Sequence, residues 1–156
     1  MSDYGRLTGD LAVGAQEPLA IAGTATIAGD GVLAGAQATT RLTGTAAQIG
    51  ITGTGTLRDA QLSLQATATP FAQAPFASAT ADLTGVDAAK FDAALPHTEA
   101  RVRLDGQPRD AGIAGTLAFV NDAAGPIDTD RLPIASMSSR FVYDRPFSEL
   151  LIIFPA

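Results

Sequence analysis

His97 is the single histidine, and it follows Pro96 with no nucleophile beside it in sequence. A triad would have to bring a serine and a carboxylate to it from elsewhere in the chain. Asp128 and Asp130 form an Asp-x-Asp pair, but the other oxygen ligands of a calcium loop are missing, so a solvated turn accounts for them. Gly53-Thr54-Gly55 opens like a dinucleotide fingerprint. It lies in a strand pattern, however, with no following helix whose amides could cradle phosphate. The Thr-x-Thr runs, Thr24 with Thr26 and Thr52-Thr54-Thr56, would order water only at a fixed repeat; strand spacing here is irregular, and threonine as a strand former on a wet face suffices. Phe71 and Phe76 read as an apolar plug at one end of a sheet. No acid, base and nucleophile come together, so neither enzymatic activity nor a cofactor or metal is expected.

Composition agrees. The chain of 156 residues has one lysine, nine scattered arginines, a net charge of −6 and a pI near 4.5, which disfavours nucleic acid, a partner that needs clustered cations. The absence of cysteine excludes disulfides, thiolate ligands and cysteine nucleophiles together. No basic, then apolar, leader stands at the N-terminus, and the longest apolar run, Leu150 to Phe154, is far short of the roughly 20 residues that cross a bilayer. Any envelope address is expected to lie outside these residues.

The elements that must position these side chains follow a period of two, which sends successive residues to opposite faces of a sheet. Leu7, Leu11 and Val13 share one parity; after a turn at Gln16-Glu17-Pro18, Leu19, Ile21 and Ile27 share the next. Gly29-Asp30-Gly31 reads as a hairpin turn, followed by a weaker strand around Ala34 to Leu42. Ala47, Ile49, Ile51 and Leu57 then oppose Gln48, Thr52, Thr54 and Thr56, and Arg58-Asp59 turns the chain into Leu62 and Leu64. Pro70 to Phe76 interrupts the ladder, because proline lacks an amide donor. Strand pattern resumes to Leu83, a short helix is expected near 87–95 with Asp87 as N-cap and Pro96 as stop, and Val102, Leu104, Leu117 and Phe119 continue the alternation. Leu132 to Tyr143 alternates again, and Phe147 to Phe154 reads as a closing strand that invites pairing at its edge.

The expectation is therefore an all-β chain of roughly ten strands in a long antiparallel meander, one segment with regular strands over 1–69, a Pro-rich interruption and short helix over 70–99, and further strands over 100–156. Strands of about ten residues would span roughly 33 Å. Gly23, Gly53, Gly55 and Gly115 break the apolar stripes, as bends in a curving sheet would.

From Pro70 onward the chain resembles the TamB family, the long periplasmic proteins of the translocation and assembly module, related to AsmA-like and bridge-like lipid-transfer proteins. The resemblance is carried by Pro70-Phe71-Ala72 with Pro75-Phe76, Val86-Asp87 and Phe91 before Leu95-Pro96, Gly106, and Gly115-Thr116-Leu117 leading to Asn121. Its strongest part is Gly125-Pro126-Ile127-Asp128 followed by Arg131-Leu132-Pro133-Ile134. It implies an internal piece of a periplasmic protein tethered to the inner membrane, folded as a β-taco-like trough with an apolar inner face. It further implies phospholipid transport between the membranes and outer-membrane protein assembly, with the insertase TamA met through parts outside this chain and neighbouring β-segments at both sheet edges. The groove residues would be Leu7, Leu11, Val13, Leu19, Ile21, Ile27, Ile49, Ile51, Leu57, Leu62, Leu64, Leu83, Val102, Leu104, Leu117 and Phe119, with phospholipid acyl chains lying against them. The competing reading is a structural or adhesive β-stalk packed by its own side chains, and a third is a sheet edge that templates incoming strands.

Overall fold

The computed structural model describes residues 5–30, 34–72, 76–109 and 112–143, with no side-chain description for Phe76 and Tyr143. The strands are β1 (Gly5–Val13), β2 (Ala20–Gly29), β3 (Gln37–Thr45), β4 (Gln48–Leu57), β5 (Ala60–Ala68), β6 (Phe76–Val86), β7 (Ala100–Arg109), β8 (Gly112–Asn121) and β9 (Ser136–Tyr143). They form one 9-stranded sheet in sequence order, each strand antiparallel to the next. The expected all-β antiparallel meander is what the chain forms, and an open sheet of this kind is compatible with a trough.

The register follows from the alternation. Facing residues on neighbouring strands share a sheet face, so Leu7↔Ile27, Ile27↔Ala38 and Ala38↔Gly55 begin one row. It continues through Gly55↔Leu62, Leu62↔Leu83, Leu83↔Val102, Val102↔Phe119 and Phe119↔Met137. The opposite face carries a row of hydroxyls and charges: Thr8↔Thr26, Thr26↔Thr39, Thr39↔Thr54, Thr54↔Ser63, Ser63↔Asp82 and Asp82↔Arg103. One face is thus apolar and the other hydroxyl-rich, with no second layer over either among the described residues.

Turn chemistry sets the strand ends. Leu57 faces Ala60 across Arg58 and Asp59, both at positive φ (47 and 73), the mirror-image turn whose twist matches a hairpin. In β6 the register shifts between Leu83 and Val86, where Gly85 takes φ 69; glycine is the residue that adopts this left-handed backbone without a Cβ clash.

Several expectations need correction. The helix near 87–95 is one 3-10 turn, Ala88–Lys90, capped as expected by Asp87, whose side chain accepts from Ala89 N. Asp92 Oδ1 takes the Ala94 amide (2.9 Å), and a short helix has too few internal bonds to outcompete such side-chain turns. The strand placed at Ala34 to Leu42 runs instead over Gln37–Thr45. The one placed at Leu132 to Tyr143 is confined to Ser136–Tyr143. Ala47 sits in the turn between Thr45 and Gln48, and Leu19 in the turn before β2. Phe71 is 83% exposed and plugs nothing. The strand expected over Phe147 to Phe154 and the Gly31 position of the Gly29-Asp30-Gly31 turn lie outside the described residues.

Candidate functional site: an open apolar sheet face

Every groove residue anticipated from sequence except Leu19 falls on the apolar face, as the pairing registers require. Leu19 shares their parity but precedes β2 in a turn. Sequence also left out Leu42, which lies between Gly23 and Ile51 on this face, and Met137 and Phe141 from β9. Their alternation with Thr, Ser and Arg was a usable signal for Leu42 and Phe141.

The face is not buried. Leu7 is 69% exposed, Leu11 66%, Val13 59% and Ile27 46%, while Ile49, Ile51, Leu57, Leu64, Leu83, Val102, Leu104, Leu117 and Phe119 are half-buried by their own neighbours in the sheet. Among the described residues the hydrophobic side chains that reach full burial are Ala60 and Ala100. Thr40 on β3 and Ser139 on β9 are hydroxyls that interrupt this otherwise apolar face. Part of the face is shallow: Gly106 faces Gly115, and the Phe141 ring lies so close over Gly115 that an added Cβ would come within 2.5 Å of it.

The hydroxyl face is solvated, and Arg103 on it is paired with two carboxylates. Arg103 meets Asp105 through Nε (2.9 Å) and its cross-strand neighbour Asp82 through Nη1 (3.1 Å), and these carboxylates, Asp105 foremost, push the guanidinium further above its usual range. Shallow depressions over β3 to β6, lined among others by Thr39, Thr54, Ser63 and Asp82, open on this side.

One end of the sheet is laced together by its connections. Asp87 Oδ1 accepts from Ala89 N (3.2 Å) and Thr98 N (3.1 Å), and Oδ2 lies 3.0 Å from His97 Nδ1. The His97 contact, then the Thr98 amide, hold the Asp87 carboxyl below the usual carboxylate range. Asn121, 3% exposed, accepts from Glu99 N (3.0 Å) and Ala123 N (3.2 Å) and donates to Leu132 O (3.4 Å). Backbone bonds from His97 N to Asp130 O (3.0 Å) and Gly125 N to Leu132 O (3.2 Å) complete the lacing. Next to it, the Arg58 guanidinium donates to the carbonyls of Lys90 and Phe91 and stands 5.3 Å from the Phe91 ring centre, and Lys90 pairs with Asp59 at 2.5 Å.

This rim explains the residues singled out for chemistry. His97 turns Nδ1 to Asp87 (3.0 Å) and Nε2 toward Asp130 (3.9 Å), so each ring nitrogen faces a carboxylate. Asp128 lies in the 3-10 turn Ile127–Thr129 and Asp130 caps it with φ 57; among the described residues no group of three or more metal-binding side chains converges. Gly53-Thr54-Gly55 sits within β4.

Comparison with protein-family models, with curated proteins and with solved structures returns no match.

Proposed function

We propose that this chain is a non-enzymatic segment of a periplasm-spanning protein, and that its apolar sheet face carries phospholipid acyl chains between the inner and outer membranes in support of outer-membrane biogenesis. The observation behind this reading is the uncovered apolar face running from Leu7 on β1 to Phe141 on β9. The sequence resemblance stated above supplies the setting. An acyl chain laid along that face gains up to ~0.8 kcal/mol for each methylene it buries, and less where one side stays open. The head group remains in water at the sheet margin. Nothing in such a surface has to react: passage is diffusion over many similar, individually weak sites.

The test is native mass spectrometry with lipid extraction on the chain expressed in a bacterial periplasm. Phospholipid should co-purify and should be lost on Ile51→Asp with Leu117→Asp, two positions well apart on the face, with circular dichroism showing that the strands persist. A folded chain that is free of lipid and resists loading in vitro would sink the reading.

A further inference from the structure

The outer edge of β1 is explained neither by the apolar face nor by the laced rim. β1 pairs with β2 along its whole length, from Gly5↔Gly29 to Val13↔Ile21, and among the described residues it stands at the end of the sheet. Gly14 N donates to Ala20 O (2.7 Å), which extends the same register by one pair. Bonded and non-bonded pairs alternate along an antiparallel ladder. The even-numbered residues of β1 therefore bond to β2, and Leu7, Gly9, Leu11 and Val13 aim their amides and carbonyls outward. Edge strands usually block such a ladder with lysine, proline or a bulge. β1 has none of these.

Its two charges are Arg6 and Asp10, both on the hydroxyl face. Asp10 accepts from Thr24 through Oδ1, and Arg6 makes no ion pair among the described residues. This pattern is self-complementary. We propose that, where no neighbouring β-segment occupies it, the β1 edge pairs with the β1 edge of a second copy, antiparallel about a twofold axis at Thr8. Arg6 then lies opposite Asp10 of the second copy, and Asp10 opposite its Arg6. Leu7 lies opposite Gly9 of the other copy, both of them outward-bonding positions as the ladder demands, and Thr8 meets itself at a non-bonded position. A register centred on Gly9 also satisfies the ladder, but it sets Arg6 against Ala12 and leaves both charges without a partner. The joint keeps the apolar residues of both copies on one side, so it holds whatever covers that face.

Because the chain has no cysteine, one introduced thiol reports the register. Non-bonded antiparallel pairs place Cα atoms about 4.5 Å apart, within disulfide reach. Thr8→Cys should give a disulfide-linked dimer under mild oxidation, while Ala12→Cys, on the same face but distant from the axis, should not. By light scattering coupled to size exclusion, the unmodified chain should be dimeric. Arg6→Asp should raise the dissociation constant about tenfold, since two exposed attractions become repulsions, and adding Asp10→Arg should restore it. The proposal is overturned by a chain that stays monomeric, by Ala12→Cys linking as fast as Thr8→Cys, or by a dimer that ignores Arg6→Asp and dissolves on Ile51→Asp, which would place the apolar faces together.

Discussion

Asn121 and Asp87 hold more of the chain in place than their size suggests, because each satisfies backbone groups from separate segments. Replacing Asn121 by Ala removes the acceptor for Glu99 N and Ala123 N and the donor to Leu132 O at a position 3% exposed. Buried amides left without partners cost about 1–3 kcal/mol each where water does not replace the lost bond. The expected loss is therefore about 2–3 kcal/mol in urea unfolding, with amide exchange rising first at Glu99 and Ala123. Asp87 gives a pH signature. Its carboxyl is held below the ordinary value of 3.8, chiefly by His97 and then by the Thr98 amide. A depressed carboxyl stabilises the fold above its unfolded pKa, and that contribution disappears as pH falls through the lower, folded value. Asp87→Asn keeps an oxygen for the two amides but not the charge. The wild-type advantage over this variant should be full at neutral pH, begin to fall near pH 3.8, the ordinary value of the unfolded side chain, and be gone once the pH has passed below the lower, folded value.

At the scale of strands and turns, close approach across the sheet makes a sharper demand than hydrophobicity. A Cβ on Gly115 would press on the Asp105 carbonyl and come within 2.5 Å of the Phe141 ring. Gly115→Ala should therefore cost about 1–3 kcal/mol, the range for forcing extra volume into a filled site, as measured by chemical denaturation. Phe141→Ala in the same chain should recover only the part due to the ring, because the backbone contact stays. Glycine at this place was legible in the sequence as a break in an apolar stripe, but the ring that lies across it was not, since Phe141 arrives from another strand. The same division runs through the whole sheet. Parity alone assigned Leu7, Ile51, Leu83 and Leu117 to one face, because a period of two leaves no other choice once strands pair in order. Asp87 was legible as a cap. The turn it caps ends at Lys90: Asp92 Oδ1 takes the Ala94 amide beyond it, while Thr98, ten residues on, takes the Ala88 amide at its start. Asn121 stood out in sequence only through a resemblance, and its contacts to Glu99 and Leu132 depend on two loops meeting at one end of the sheet.

The molecule as a whole is built like a ladder: each strand packs on its chain neighbours, and no pair of distant strands makes substantial contact among the described residues. Stability in such an arrangement is close to a sum of local terms and nearest-neighbour terms, so it is not shared evenly. The rim between the Arg58-Asp59 turn and the Asn121 loop ties β4 to β8 together at one end, whereas β1 has β2 alone on one side and every residue exposed. Native-state hydrogen exchange of the monomer, at concentrations below the dissociation constant of the β1 joint, should therefore show a gradient, with β1 amides opening at the lowest free energy and the amides of β5 to β8 at the highest, instead of one global value. Covering the apolar face changes this pattern in a diagnostic way. A ligand bound only by the folded sheet raises its opening free energy in proportion to the logarithm of ligand over dissociation constant, and an acyl chain spanning several strands raises it for all of them together. Phospholipid micelles should thus flatten the gradient and increase protection in β2 to β8, with a smaller effect when Ile51 and Leu117 are Asp. Protection that rises equally in that double variant would mean the lipid binds elsewhere, and the open face would then need another occupant.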